Sequence, residues 1–345
     1  MSNSPVSPTS GAVGTPSSPV TRTPRLIYTG NVIVDIVMTI DGLPEPGGDT
    51  LASSSLVAAG GGYNVMTAAA RDGLPVTFVG QYGTGPFGTV VRAALAGSGF
   101  DIAQPGREDL DSGYCVALVD ASTERTFVTH VGAEGQLTRA DLDRVDVGND
   151  DLVYVSGYSL AHPVNAASLP GWLDALPDTV RVITDPSPLI SDLDADTLAR
   201  VLARTDVFTA NAREARLGSR LDNLSDAATW YLARVRPGGT VLVRDGKNGC
   251  WVAGPGAGAH PLLVPAFAVE AVDSNGAGDA HGGVFAAALA RGDEPRRAAT
   301  RANAAAALAV TRSGPATAPT SAEIDALIAG THGTLDPGNG NPIAR

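Results

Sequence analysis

The stretch Leu152–Thr184, LVYVSGYSLAHPVNAASLPGWLDALPDTVRVIT, holds three segments of different character. Leu152–Ser156 is a short run of β-branched and aromatic residues and reads as a strand. Ala166–Leu176 spaces its apolar residues as a helix does, and Val180–Thr184 is a second strand. The same alternation continues in both directions. Leu26–Val37, Val76–Gly80, Asp206–Ala210 and Thr240–Arg244 read as further strands, and Asn64–Arg71, Gly88–Ala96, Ala195–Ala203 and Ala227–Val235 as helices. Strands alternating with helices argue for an α/β fold in three layers, a mostly parallel central sheet covered by helices on both faces. Ligands of such sheets bind at the carboxyl ends of the strands, so the strand-to-helix loops are the places to search.

One region breaks the rhythm. Tyr114–Val119 and Arg125–His130 are strand-like runs on either side of Asp120–Glu124, the pattern of a hairpin. With the extended stretch Met38–Ala58 it predicts a small β-sheet projecting from the main one, over segments 38–58 and 113–131. Such a sheet is either a lid over a site or an edge extension, and periodicity does not choose between them.

Composition narrows the class. Hydrophobic residues make up 43% of the 345 and charged residues 17%, as in an ordinary globular protein with a sizeable core. The net charge of −12 repels phosphate backbones and anionic lipids, so neither nucleic acid nor a membrane surface is an expected partner. Cys115 and Cys250 lie far apart in apolar runs and read as small buried hydrophobes. Apolar runs are too short to span a bilayer and no apolar signal core opens the chain, which points to a cytoplasmic enzyme. Residues 1–24, mostly Ser, Pro, Thr and Gly, read as a disordered tail or a misassigned start, and 331–345 as a flexible C-terminal tail. The folded domain is then 25–330.

Three motifs carry chemistry. Val272-Asp273-Ser274-Asn275-Gly276-Ala277-Gly278-Asp279 runs straight into the apolar helix His281–Ala290. Gly276 and Gly278 free the backbone for a tight turn, and the helix it opens offers unpaired amides and a positive dipole end. Together they form an anion site suited to a phosphate in transfer. Asp279 within such a site is either a helix cap or a base that accepts the proton of an attacking hydroxyl. Ala59-Gly60-Gly61-Gly62-Tyr63-Asn64 lets backbone approach a ligand closely, with Asn64 able to bond hydroxyls. Asn211-Ala212-Arg213-Glu214 places Asn211 and Glu214 on one face of a helix start, as a seat for hydrated Mg2+ or as a capping box.

Taken together, Gly30-Asn31 with Asp35, the glycine loop ending in Asn64, Asn211 with Glu214, and Gly276–Asp279 make the chain resemble the ribokinase-like (PfkB) carbohydrate kinase family, from about residue 25 to 330. The resemblance implies a ribokinase-like fold with a small β lid, and an ATP-dependent kinase that phosphorylates a hydroxyl, expected to be primary, of a small sugar-like molecule. It implies Asp279 as catalytic base, with Gly276, Ala277 and Gly278 lining the anion hole. Asn31, Asp35, Gly60, Gly61 and Asn64 match positions that hold substrate hydroxyls. Asn211 and Glu214 match the motif that positions Mg2+, through water, and the nucleotide phosphates. Arg244, Gly246 and Gly249 match the nucleotide loop, and Asn303 lies in a helix resembling its adenine-side wall. A monovalent cation such as K+, which members often bind beside the anion hole, would involve Asp273. The resemblance also admits dimerisation through the lid.

Two positions depart from the pattern. His281 stands where many members carry Phe or another apolar residue, and Gly61 where ribokinases proper usually carry Lys. The alternatives are a nucleoside kinase of the same family and a non-catalytic sugar-binding protein. A dinucleotide-dependent dehydrogenase is disfavoured because no G-x-G-x-x-G follows the first strand.

Overall fold

A computed structural model of the chain describes residues 22–332 except Thr123 and Pro315. Most of the two expected tails, 1–24 and 331–345, lies outside the described residues. Arg22, at the near end of the first, pairs with Asp146 at 3.0 Å, and the last helix, Ser321–His332, runs past the expected boundary at Gly330.

The strands in chain order are β1 (Leu26–Tyr28), β2 (Val32–Thr39), β3 (Ser54–Gly61), β4 (Val76–Phe78), β5 (Asp101–Ile102), β6 (Tyr114–Val119) and β7 (Arg125–His130). They continue as β8 (Leu152–Ser156), β9 (Arg181–Asp185), β10 (Val207–Asn211), β11 (Thr240–Arg244), β12 (Cys250–Ala253) and β13 (Leu262–Val264). Nine of them form the central sheet, in the order β13-β12-β11-β10-β9-β8-β1-β4-β5. It is parallel from β11 to β5, and β12 and β13 add an antiparallel edge. Strands buried on both faces read as continuous apolar runs, which is why β8 and β11 stand out in the sequence. Side chains alternate between two cores. Leu26, Tyr28, Leu152 and Tyr154 face the helices Tyr63–Arg71 and Ala277–Ala290, while Ile27, Val153 and Val155 face the helix Pro163–Ala175. The three layers follow. No helix among the described residues is long and apolar enough to cross a membrane.

The reading of Leu26–Val37 as one strand is corrected. The chain leaves the central sheet after Tyr28, bends through Thr29-Gly30-Asn31, and enters a second sheet as β2. The bend is held from elsewhere: Asn31 C=O accepts the Gly62 amide at 2.8 Å, and a Cβ at Gly80 would come within 2.4 Å of the Gly30 carbonyl. The second sheet has the order β3-β2-β6-β7, with β2 and β3 antiparallel from Val32↔Gly61 to Thr39↔Ser54. The small sheet therefore uses 32–39 and 54–61, where 38–58 was expected, and most of 40–53 is its connecting loop. The hairpin β6–β7 lies where the sequence places it.

The helices Tyr63–Arg71 and Ala277–Ala290 meet at Gly283, where an added Cβ would lie 2.3 Å from the Val65 carbonyl oxygen and 2.8 Å from the Ala68 methyl. Backbone touches backbone, so neither helix can give way locally. Gly283→Ala is expected to destabilise the protein by about 1–3 kcal/mol, the usual scale of overpacking, despite alanine's better helix propensity. Urea denaturation checks it; an unchanged midpoint would show that the helices can part.

Candidate active site

The loop after β13 reaches the helix Ala277–Ala290 through Gly276, whose φ of +73° is the left-handed conformation that favours glycine. No side chain caps the amides that follow. Asp279 sits in the first turn, within that positive end, and is half-buried. Enclosure, with a smaller push from Asp185 and Asp35, moves its pKa up to about 7, against the pull of Asn64 and Arg244. Asn64, 6% exposed, donates from Nδ2 to Asp279 Oδ2 at 3.1 Å and accepts the Ala316 amide at 2.9 Å. Its carboxamide is thereby fixed, and it aims the carboxylate. The sequence marks Asn64 as a substrate holder; the structure gives it a direct hold on Asp279.

The three glycines before that helix answer three separate demands. A Cβ at Gly60 would fall 1.8 Å from Asp35 Oδ2, one at Gly62 would enter the Tyr28 ring at 2.1 Å, and Gly61 has φ +60°. Asp35 lies on β2 opposite Ala58, and burial alone pushes its pKa up to about 6. An acid with a raised pKa and no offsetting donor gains from hydroxyl ligands. Asn31, in the bend between the sheets, is held by two residues that the motifs do not reveal. Its Nδ2 meets His162 Nε2 at 2.9 Å, and its Oδ1 accepts from Ser159 Oγ at 3.0 Å. Nε2 is then the acceptor, so His162 is the neutral Nδ1–H tautomer, in keeping with a pKa lowered by burial.

Asn211 and Glu214 form the capping box: Asn211 Oδ1 accepts the Glu214 amide at 2.9 Å, and Glu214 Oε2 accepts the Asn211 amide at 2.8 Å. The box buries Glu214 beneath the strand ends, where Asp185 becomes its neighbour. Burial first, then Asp185, raises the Glu214 pKa. Arg244, the last residue of β11, lies between the two acids, 3.1 Å from Asp185 Oδ2 and 3.7 Å from Glu214 Oε2, and donates to Thr209 Oγ1 at 2.7 Å. Its Nη2 would be 3.4 Å from a Cβ at Gly278, which puts the guanidinium against the turn at the start of the helix Ala277–Ala290. Asp185 was missed in the sequence; its signal was its place before Pro186 at the end of a strand. The next residue, Ser187, has φ +63° and gives its amide to Asp185 Oδ1 at 3.0 Å.

The remaining expected residues lie further out. Gly246 opens a 3-10 turn at φ +53°. Gly249, where a Cβ would strike the Val264 carbonyl at 2.0 Å, and Asn303, which donates to the Val264 and Pro265 carbonyls at 3.0 and 3.1 Å, both brace the end of β13. His281 is 2% exposed with neither ring nitrogen at hydrogen-bonding geometry to a partner, and lies parallel to Phe285. Burial and the Arg244 charge push its pKa down to about 3, so it stays neutral. Asp273 pairs with Arg125 of β7 at 2.7 Å and accepts the Asn275 amide at 2.9 Å.

Among the described residues no three acidic, histidine or cysteine side chains converge as a metal cage. Glu214, with Asp185 close enough to raise its pKa and Asn211 locked to it in the capping box, would hold a hydrated magnesium ion, which would supply charge neutralisation to phosphates there.

The sequence profile of the pfkB family carbohydrate kinases matches residues 24–322. The chain belongs to this family. It is 32% identical over 311 residues to "Uncharacterized sugar kinase YegV" of Escherichia coli, covering 88% of this chain and 94% of that one. It is 29% identical over 310 residues to the ATP-dependent ribose-1-phosphate kinase of Halopiger xanaduensis, covering 88% and 98%. In fold it matches the structure of Arabidopsis thaliana ribokinase complexed with ribose and ATP, at a TM-score of 0.73 and 22% identity over 89% of this chain and 99% of that one.

With Asp279 as the expected proton acceptor, raised to a pKa of about 7, the pH profile is expected to follow that group. The carboxylate must be ionised, so kcat/KM is expected to fall about tenfold per pH unit below that value and to level off above it. Asn64→Leu removes a donor that favours the charged form and should move the inflection to higher pH. An inflection unmoved in that variant would show that another group controls the profile.

Proposed function

We propose that the protein transfers the terminal phosphoryl group of ATP to a hydroxyl, expected to be primary, of a small uncharged sugar or polyol. The observation that carries this reading is the Asn64–Asp279 hydrogen bond, which aims a carboxylate of raised pKa from an uncapped helix start. Asp279 takes the hydroxyl proton as the oxygen forms its bond to the terminal phosphorus. The bond to the bridging oxygen breaks, ADP leaves with that electron pair, and the proton passes to solvent. The amides of Gly276, Ala277 and Gly278, with Arg244 behind them, stabilise the charge on the group in flight. Magnesium, when bound, supplies the neutralisation that a triphosphate needs near Asp185, Glu214 and Asp279. Asn211, Gly246, Gly249 and Asn303 serve the nucleotide side of the cleft.

Asp35, Asn31, Asn64, Gly60 and Gly61 form the sugar side, with Asp35 accepting from two neighbouring hydroxyls. The side chains gathered there, with neutral His162, carry negative charge or none. This favours an uncharged acceptor over a sugar phosphate, unlike the substrate in the name of the Halopiger relative. The lid also leaves Leu56 and Phe127 exposed on one of its faces and Val57 and Val128 on the other, apolar surface that fits contact with a second copy of this chain.

The test is an ADP-release screen against free sugars, inositols, sugar phosphates and nucleosides. With the best acceptor, Asp279→Asn should keep binding but lose at least about a hundredfold in turnover. Near-normal turnover in that variant would sink the assignment. Asp35→Ala should raise the sugar KM strongly and the ATP KM little; an unchanged sugar KM would remove Asp35 from the sugar side. A nucleoside as the sole hit would establish the nucleoside kinase instead.

A further inference from the structure

Asp273 is the acid that the family resemblance marks for a monovalent cation, and its surroundings do not fit one. Its Oδ1 accepts from Arg125 Nη2 at 2.7 Å and from the Asn275 amide at 2.9 Å. Burial works to raise the pKa of this acid, but the Asn275 amide and the Arg125 guanidinium outweigh it and hold the carboxyl below its ordinary range. A hard cation requires converging oxygens. These neighbours instead turn hydrogens toward the carboxylate, and one carries a full positive charge.

The two partners come from different parts of the fold. Arg125 is the first residue of β7, at the tip of the lid hairpin, opposite Val119. Asp273 is anchored to the core: its own amide and that of Val272 both donate to the Val310 carbonyl, at 3.0 and 2.7 Å. From Asp273 the chain passes through the Asn275 amide, held by the same carboxylate oxygen as Arg125, into Gly276 and the anion hole. The guanidinium thus braces the turn whose shape presents the amides.

We propose that Arg125 is this kinase's built-in cation beside the anion hole, taking the place of a dissolved monovalent ion and holding the Asp273–Gly276 turn in its working shape. It is a positioning residue, since it acts through Asp273. The same sheet carries Asp35 on β2, so the element that grips the sugar also delivers the charge. This inference rests on the proposed kinase site.

The experiment compares wild type, Arg125→Ala and Arg125→Lys in choline chloride and in potassium chloride at equal ionic strength. Two signals are read: ADP release with the best acceptor, and melting temperature. Wild type should turn over equally in the two salts. Arg125→Ala should lose about tenfold or more in kcat in choline, as a misplaced turn does, with a much smaller change in sugar KM. Potassium should restore part of that loss and raise the melting temperature of Arg125→Ala but not of wild type, while Arg125→Lys retains most activity in choline. Wild type inactive in choline and activated by potassium would overturn the proposal. So would Arg125→Ala matching wild type in choline, which would make the pair an inert lid contact. If no acceptor supports turnover, the kinase reading fails on its own, and the ion dependence of melting still decides this one: a potassium shift in wild type, or none in Arg125→Ala, refutes it.

Discussion

Two helices pressed together until backbone meets backbone set the geometry on which the site depends. Gly283 lets the helix that begins after Gly276 lie against the helix that begins at the glycine loop. Both helices start at the same end, so their first turns face each other across the cleft, and Asn64 reaches Asp279. Asp279, the Asn64 that bonds it and the backbone turn at Gly276 are therefore registered by a single contact well inside the core. A side chain on that contact would displace all three groups at once.

Burial is what sets the charge balance of the cleft, and it acts on acids chiefly. Asp279 and Asp35 are both pushed above the ordinary carboxylate range, to about 7 and about 6, because the fold surrounds them without neutralising them. Folding favours their protonated forms. The two groups contribute stability that is fully present below the unfolded pKa, near 4, and is lost as pH rises through 6 and 7. The protein at neutral pH thus holds its chemistry at some expense to its stability, as working sites commonly do. Arg244 opposes the effect at Asp279 and Glu214, and Asn64 opposes it at Asp279.

Much of this was legible in the sequence wherever the cause was local. β8 and β11 fall on the predicted residues because strands buried on both faces are apolar throughout, and the Asn211–Glu214 box is a spacing rule written in four residues. The break after Tyr28 was not legible, because β-branched residues continue on both sides of it and the bend is enforced by Gly62 and Gly80, far along the chain. His162, Asp185 and Arg125 escaped for the same reason. Each gains its role only from a partner more than 50 residues away: Asn31, Arg244 and Asp273, respectively. The sequence presents Gly60, Gly61 and Gly62 as one ligand-approaching loop, whereas Asp35 requires the first, Tyr28 the third, and the second is required by its own backbone angle.

Gly60 and Asp35 also constrain how this protein can change over generations. The carboxylate occupies the space where any side chain at position 60 would have to begin. A side chain at 60 therefore requires that acid to be lost or to turn away, and an acid in this position at 35 requires glycine at 60, so the two positions are expected to change together rather than singly.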